Sequence, residues 1–368
     1  MLEISNTSFL LAVSGFILGI LLGITIIRTR FCTMGAVADI VFSNNYGRMR
    51  SWLLAIVIAI IGTQLAIIFG VLSIEQTSYL QPQLFWLAAI VGGLLFGFGM
   101  VLSCGCGSRN LAMCASGDLR ALVSIITLGI IAYMTIRGIF SIPREWFYGT
   151  AMVDSSAWIA IPSIDGIISK LLFIDDQLAR LIAMIVITFP LLWFIFKDHE
   201  FRHTPRRVIA GICIGLLMVS GWLLSGWIFK DEFADTIPES LTFVEPVGNS
   251  LLYLMVWTGT SINFGIATIG GLVVGSFITA LYRKEFNVRG FEDSAEMGRY
   301  IIGGALMGMG GALAGGCTFG QGISGISTLS FISILTFASI VIGAFVGLHY
   351  IQQGSISSLI KNLWQKAL

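Results

Sequence analysis

Long apolar stretches recur along this chain, and the segments between them carry most of its charged residues. Each stretch approaches the roughly 20 residues that an α-helix needs to cross the hydrocarbon core of a bilayer. We therefore predict nine spanning helices, near residues 8–27, 52–73, 85–103, 119–136, 179–196, 208–229, 265–282, 300–314 and 331–350.

Three apolar runs are longer than one spanning helix and contain no solvent loop: Gln76–Ser108, Pro246–Tyr282 and Ile301–Ile360. Such runs predict broken or re-entrant helices. Irregular backbone is tolerated at membrane depth only where it lines a cavity walled by protein. The predicted fold is an all-α membrane protein with an internal path.

Composition supports this class. The 368 residues are 56% hydrophobic and 11% charged, and the mean hydropathy is +0.90, which excludes a soluble domain with a polar surface. The run from Ser8 to Ile27 lacks the basic start and small-residue exit of a cleaved signal peptide, so we assign it as the first span. A net charge of +1 gives no reason to expect a nucleic-acid partner.

The basic residues predict the orientation, because cytoplasmic loops are enriched in Lys and Arg. With the N-terminus outside and the C-terminus cytoplasmic, sixteen basic residues fall on the inner side: Arg28, Arg30, Arg48, Arg50, Arg109, Arg120, Lys197, Arg202, Arg206, Arg207, Arg283, Lys284, Arg289, Arg299, Lys361 and Lys366. Four fall on the outer side: Arg137, Arg144, Lys170 and Lys230. Arg180 lies inside a span, and the outer segment 231–245 is acidic. We expect a multi-pass protein of the bacterial inner membrane.

An internal repeat joins the two halves of the chain. The stretches Ile90–Cys106 and Ile301–Cys317 are identical at nine of seventeen positions, at an offset of 211 residues. The segment before the first copy, Glu75–Phe85, has no basic residue, whereas four precede the second: Arg283, Lys284, Arg289 and Arg299. The copies therefore enter the membrane from opposite sides. This is typical of transporters, whose inverted halves form a site near the bilayer midplane.

We accordingly predict one transporter domain over residues 1–368. Residues 1–136 form the first half, 137–230 the connecting spans and loops, and 246–350 the inverted second half. The repeated glycines either serve close helix packing alone or belong to a site. Their coincidence with a repeated Gly-Cys ending, at Cys106 and Cys317, favours a site.

A third thiol, Cys32, follows the first span in "RTRFCTMGA". Its neighbours Arg28 and Arg30 are explained by a membrane boundary, where arginine side chains reach towards water. Gly35 and Ala36 suit another helix break.

These blocks resemble the YeeE/YedE family, whose characterised members take up thiosulfate. The resemblance rests on "RTRFCTMGAVADI", "GFGMVLSCGCGSRN", "RKEFNVRG" and "GGALMGMGGALAGGCTFGQG". It implies an hourglass-shaped path lined by Cys32, Cys106 and Cys317, with Cys32 nearer the cytoplasmic exit. The Asn-aromatic-Gly pattern of the family is similar to Asn263, Phe264 and Gly265.

The implied substrate is thiosulfate or a closely related sulfur anion, and the residue chemistry fits it. Neutral thiols can offer weak S–H donors to the terminal sulfur, and helix N-termini can face the sulfonate oxygens. We expect Gly105 and Gly316 to contribute beside the cysteines, and Arg109 either to attract the anion or to anchor its segment. The resemblance also implies a cytosolic TusA-like sulfurtransferase as a partner.

The chain departs from the family's Gly-Gly-Cys at Cys104-Gly105-Cys106, and Cys114 follows closely. The additional thiol at Cys104 is either an apolar filler, a further ligand suited to another sulfur or selenium compound, or half of a redox-sensitive pair. Cys213 lies inside a regular span, where packing is its expected role.

Two other classes of protein remain as alternatives. One is a membrane thiol-disulfide enzyme using Cys104 and Cys106; it leaves Cys317 without a role. The other is a carrier or channel for an unrelated solute; it leaves the thiols unexplained. His199 and His203 have helical metal-ligand spacing, yet we place them in a polar loop and expect no metal or other cofactor. The chain has no phosphate-binding Gly-x-x-x-x-Gly-Lys-Ser/Thr motif, which argues against ATP hydrolysis.

Overall fold

The structure is a computed structural model, which describes residues 2–74, 76–154, 162–229 and 237–353. Some of the positions used above fall outside these ranges, among them Lys230, Lys361, Lys366, residues 231–236 of the acidic outer segment and the end of the last apolar run.

Helices make up most of the described chain. They are α1 (Leu2–Thr29), α2 (Thr33–Ser43), α3 (Gly47–Ile68), α4 (Trp86–Leu102), α5 (Gly107–Ala115), α6 (Leu119–Arg137), α7 (Ser141–Thr150), α8 (Ile164–Leu172), α9 (Asp176–Phe196), α10 (His199–Arg202), α11 (Pro205–Leu223), α12 (Val244–Met255), α13 (Phe264–Tyr282), α14 (Ser294–Leu313) and α15 (Phe331–Gln353). Two π-helical turns cover Leu224–Ile228 and Gly320–Gly325. Strands β1 (Gln83–Phe85) and β2 (Met152–Asp154) pair antiparallel, with Gln83 opposite Asp154.

The described residues contain eight helical stretches long and apolar enough to cross a membrane, so the chain is a multi-pass, all-α membrane protein. Eight of the nine predicted spans overlap these eight stretches, although the span predicted at 52–73 continues five residues past the end of α3. The span predicted at 300–314 lies in α14, which is 20 residues long and begins with a polar turn containing Glu296 and Arg299.

The long apolar runs are interrupted, as their length predicts. Helix α4 ends at Leu102 and α5 begins at Gly107; α14 ends at Leu313, and the π-helical turn begins at Gly320. Helices α1 and α2 are separated by only three residues, of which Arg30 has a left-handed backbone with φ of 54°. Such breaks leave backbone groups and side chains of the broken segment facing the protein interior.

Glycines bring α4 and α14 into close contact. A Cβ atom at Gly92 would lie 2.6 Å from the carbonyl oxygen of Gly310, and one at Gly99 would lie 2.7 Å from that of Gly303. The earlier glycine of α4 contacts the later glycine of α14 and the later contacts the earlier, so the two helices are antiparallel. Helix α4 also packs on α15 and α14 on α6, while α1 packs on α13 and α3 on α11.

Ion pairs hold several arginines near the ends of spans. Arg180, predicted inside a span, lies 3.1 Å from Asp165. Arg120 contacts Asp118 at 3.1 Å and Glu296 at 2.9 Å, which ties α6 to α14. These arginines have structural partners and are therefore poor candidates for binding a mobile anion.

Candidate functional site

The three helix breaks bring Cys32, Cys106 and Cys317 together inside the protein. All three thiols are free and buried, with exposed fractions of 7%, 1% and 1%. Cys106 is the central member, because its side chain interacts with both Cys32 and Cys317. Residues far apart in the sequence thus form one cluster, which we call the thiol cluster.

Each of these cysteines directly precedes a helical turn. Cys32 is the N-cap of α2, and its sulfur accepts a hydrogen bond from the backbone N–H of Gly35 at 3.5 Å. The sulfur of Cys317 accepts one from the N–H of Gly320 at 3.4 Å. Cys106 is the N-cap of α5, with its sulfur 3.4 Å from the hydroxyl oxygen of Ser108. The local backbone therefore fixes where each sulfur lies.

The turns before Cys106 and Cys317 are built alike. We call Cys104–Cys106 the first Cys turn and Gly315–Cys317 the second Cys turn. Their first residues, Cys104 and Gly315, correspond in the repeat, and both have left-handed backbones, with φ of 53° and 67°.

A side-chain amide four residues after each cysteine supports the turn. The amide nitrogen of Asn110 donates to the carbonyl oxygen of Gly105 at 3.1 Å. That of Gln321 donates to the carbonyl oxygens of Ala314 at 2.9 Å and Gly315 at 3.0 Å. Asn110 and Gln321 are also separated by 211 residues, so this support belongs to the repeat.

Aromatic rings surround the thiol cluster. Phe319 lies 5.4 Å from Trp52 and 5.4 Å from Phe243, and 6.0 Å from Phe31, between ring centroids. Phe31 stacks on Trp52 at 4.8 Å. The four rings share one buried apolar cluster with Cys106 and Cys317, so the thiols lie in apolar surroundings.

The remaining predicted site residues lie in other surroundings. Cys104 is exposed and interacts with Tyr300, whereas Cys106 is buried among the other thiols. Arg109 is close enough to Cys32 to interact electrostatically, and within the described ranges no carboxylate pairs with it. Asn263 is exposed, and its side-chain oxygen caps α13 by accepting from the N–H of Ile266 at 2.8 Å.

The histidine pair and the other cysteines do not belong to the cluster's contacts. His199 and His203 place their Nε2 atoms 3.0 Å apart on an exposed surface. Within the part of the chain that the structure describes, no group of three or more His, Cys, Asp or Glu side chains could hold a metal ion. Cys114 and Cys213 are partly buried.

A cavity of about 370 Å³ borders the second Cys turn at Gly315 and Gly316. Its charged lining residues are Glu239, Glu245 and Arg144, and we call it the acidic vestibule. Burial, followed by the nearby charge of Glu245, raises the pKa of Glu239 to about 7. Glu239 therefore changes its charge near neutral pH.

A second cavity, of about 270 Å³, reaches Cys32 beside the N-terminal end of α11. Glu239 of the acidic vestibule bonds Ser225, just beyond the C-terminal end of the same helix. The second cavity is lined by four arginines, and we call it the basic vestibule: Arg30, Arg48, Arg206 and Arg207. Two of them pair with acids, Arg48 with Asp39 at 3.1 Å and Arg207 with Glu200 at 3.8 Å. The lining thus keeps an excess of positive charge, which attracts anions.

Sequence reasoning missed several residues of this site. Asn110 and Gln321 could have been found from the repeat, because both follow a repeated cysteine by four positions. Trp52 gave no such signal, since an aromatic residue in an apolar span is ordinarily a packing residue.

Comparison with known proteins is consistent with this geometry. A family model described as sulphur transport matches residues 28–346. A protein of Escherichia coli (strain K12) named thiosulfate transporter TsuA is 27% identical over 331 residues, which cover 86% of this chain and 87% of that protein. A protein of the same name from Spirochaeta thermophila is 26% identical over 337 residues, covering 90% of this chain and 96% of the relative. These matches support transport of a sulfur compound.

Proposed function

This chain belongs to the sulphur-transport family, and from that premise we propose that it imports thiosulfate, or a closely related sulfur anion, across the bacterial inner membrane. It is a transporter and not an enzyme, so a thiol-disulfide enzyme acting through Cys104 and Cys106 is no longer the competing explanation. The names of both relatives support thiosulfate as the substrate.

The observation that carries the proposal is the position of the thiol cluster. The acidic vestibule ends at Gly316, which precedes Cys317, and the basic vestibule ends at Cys32. Cys106 interacts with both cysteines and connects the two ends. Two cavities with a narrow thiol-lined region between them support an hourglass-shaped path.

The glycine contacts support two inverted halves. Gly92 corresponds to Gly303 in the repeat, and Gly99 corresponds to Gly310. In the structure Gly92 contacts Gly310, the counterpart of Gly99, and Gly99 contacts Gly303, the counterpart of Gly92. Such reciprocal contacts are expected when a two-fold axis relates the two helices. Because α4 and α14 are antiparallel, that axis is perpendicular to them, as in an inverted repeat. We infer halves at 1–136 and 246–350.

The chemistry of the thiols suits a dianion that must bind briefly. A neutral S–H group is a weak donor, so it can contact the terminal sulfur of thiosulfate and still release it. A thiolate would repel the dianion. The positive N-terminal ends of α2 and α5, at Cys32 and Cys106, add favourable partial charge without a fixed cation at the thiols.

The unequal charge of the two vestibules supports the direction proposed. In the orientation with the N-terminus outside and the C-terminus cytoplasmic, the basic vestibule is on the inner side. A dianion leaving Cys32 then enters a positive field, where Arg109 and the vestibule arginines hold it for delivery. A TusA-like sulfurtransferase remains our expected cytosolic acceptor.

Uptake of labelled thiosulfate into cells expressing the protein tests the substrate. We expect saturable uptake that excess unlabelled thiosulfate abolishes, and that sulfate, sulfite and selenite reduce less at equal concentration. Cells with the empty expression vector set the background. Uptake no greater than that background, or equal competition by sulfate, would contradict the proposal.

A further inference from the structure

Three hydrogen-bonding side chains near the thiol cluster have no oxygen or nitrogen partner within the described protein. They are the indole nitrogen Nε1 of Trp52 and the hydroxyl oxygens of Thr33 and Thr318. Each residue is buried, with an exposed fraction of 1%. Because buried polar groups are nearly always hydrogen-bonded, three unpartnered groups in one region require a physical explanation.

All three groups belong to the immediate surroundings of the thiols. Thr33 follows Cys32 in the chain, and Thr318 follows Cys317, with its hydroxyl beside the thiol of Cys106, which is only a weak hydrogen-bonding group. Trp52 lines the basic vestibule together with Cys32. Two of the unpartnered groups therefore lie beside two of the three helix breaks that build the cluster, and the third belongs to an aromatic ring packed nearby.

The chemistry of these groups selects the kind of ligand. An indole N–H can only donate a hydrogen bond, and a hydroxyl has one hydrogen to donate. A sulfonate group offers three oxygens that only accept. Thiols, in contrast, match the soft sulfur at the other end of thiosulfate.

We propose that Thr33, Trp52 and Thr318 donate hydrogen bonds to the sulfonate oxygens of the anion while the cysteine thiols contact its terminal sulfur. The inference rests on the proposed function and adds specificity-determining residues to it. Thiosulfate satisfies both sets of groups. Sulfate has no soft sulfur for the thiols, and hydrosulfide has no oxygens for the donors.

Burial explains why these donors discriminate. The three atoms are enclosed, so the thiol-lined region must widen locally as the anion passes. Hydrogen bonds formed there are shielded from water and are stronger than equivalent bonds at a surface. A ligand that lacks acceptor oxygens leaves the donors unpaired in this environment, which disfavours its passage.

Kinetics of labelled thiosulfate uptake in Thr33→Val and Thr318→Val test the inference, since valine keeps the shape of threonine and removes the hydroxyl. We expect each variant to lower kcat/KM for thiosulfate about tenfold, the value of one hydrogen bond to a charged group. Thr33→Ser and Thr318→Ser retain the hydroxyl and should keep most of the uptake. Trp52→Phe, which keeps an aromatic ring and removes the N–H, provides a third, independent variant.

Thr63→Val is the matched control. The Thr63 hydroxyl is also buried and without a partner in the described protein, and it lies in the same helix as Trp52, 11 residues further along. At 1.5 Å per residue, that is about 16 Å away. We expect uptake by Thr63→Val, normalised to folded protein, to equal that of the wild type.

The outcomes separate the two levels of the proposal. If the wild type takes up thiosulfate and the valine variants are as active as Thr63→Val, the inference is wrong and the proposed function stands. Equal losses in all three valine variants would also overturn it, because the effect would then be general. If the wild type takes up no thiosulfate, both the function and the inference fail.

Discussion

The first and second Cys turns have the same construction and differ at their first residue. Both place a cysteine at the thiol cluster, and both are held by an amide side chain, Asn110 in one and Gln321 in the other. The left-handed position is glycine at Gly315 and cysteine at Cys104. Since a side chain disfavours this backbone conformation, Cys104 carries a conformational cost that Gly315 avoids.

This difference distinguishes the role of Cys106 from that of Cys104, two residues away in the sequence. Cys106 has a counterpart in the repeat, is buried and interacts with the other thiols, whereas Cys104 has no cysteine counterpart and is exposed near Tyr300. The shared construction therefore belongs to the proposed path, and the additional thiol lies outside the cluster. The second turn also opens on the acidic vestibule through Gly315 and Gly316.

The largest expected effect on the protein comes from changing the close contact between α4 and α14, the helices that lead into the two Cys turns. Leucine at Gly99 or at its repeat counterpart Gly310 would collide with backbone atoms of the opposite helix. We expect either substitution to abolish the folded protein, measured as the monodisperse yield after extraction in detergent. Gly149→Leu is the control, because a Cβ there would meet no atom within 4 Å. Near-normal yields of both variants would mean that the close α4–α14 contact is not required.

Loss of the amide supports should weaken both turns. Asn110→Ala and Gln321→Ala leave buried carbonyl oxygens without these donors, which costs about 1–3 kcal/mol each. We expect lower thermal stability in detergent and about tenfold slower thiosulfate uptake, because the cysteines lose their fixed positions. A loss in one variant and none in the other would show that the two turns are not equivalent.

The acidic vestibule should make entry at the second turn sensitive to pH. With a pKa of about 7, Glu239 is neutral below that pH and negative above it. A negative charge about 6 Å from an entering dianion costs roughly 1.4 kcal/mol in a water-like environment, which weakens its binding by up to about tenfold. We expect KM for thiosulfate to rise as the pH increases from 6 to 8.

Glu239→Gln should remove this rise in KM and keep the low-pH value throughout. Glu292→Gln changes an exposed carboxylate that lines neither vestibule and is the control. The same pH dependence in Glu239→Gln and in the wild type would contradict the assignment of this step to Glu239.

The smallest expected effect is at the position where the turns differ. Cys104→Gly replaces a left-handed cysteine with the residue found at the equivalent position, and we expect a gain in stability of about 1 kcal/mol. Thiosulfate uptake should be unchanged, because Cys104 lies outside the thiol cluster. Gly315→Ala, the reverse change in the second turn, should lower stability by a similar amount. Loss of uptake in Cys104→Gly would instead make this thiol a ligand.

Much of the fold could be predicted from the sequence because apolar runs and helix length are closely related in a membrane. The repeat also indicated Cys106 and Cys317 as partners. The short helices α2 and α5 were not predicted as elements, since fewer than twelve residues with Gly and Cys give little periodicity. The role of Asn110 was open to prediction from the repeat, because its contact with Gly105 is local. The role of Trp52 depends on contacts across the fold, which a single sequence does not display.

Transport by the purified protein in liposomes tests the thiol path most directly. Labelled thiosulfate uptake is compared among the wild type, Cys32→Ala, Cys106→Ala and Cys317→Ala, with Cys213→Ala as a control from an ordinary span. The account predicts that each of the three cluster variants loses at least about tenfold in uptake rate, while Cys213→Ala transports like the wild type. Wild-type rates in all three cluster variants, at equal amounts of folded protein, would contradict it.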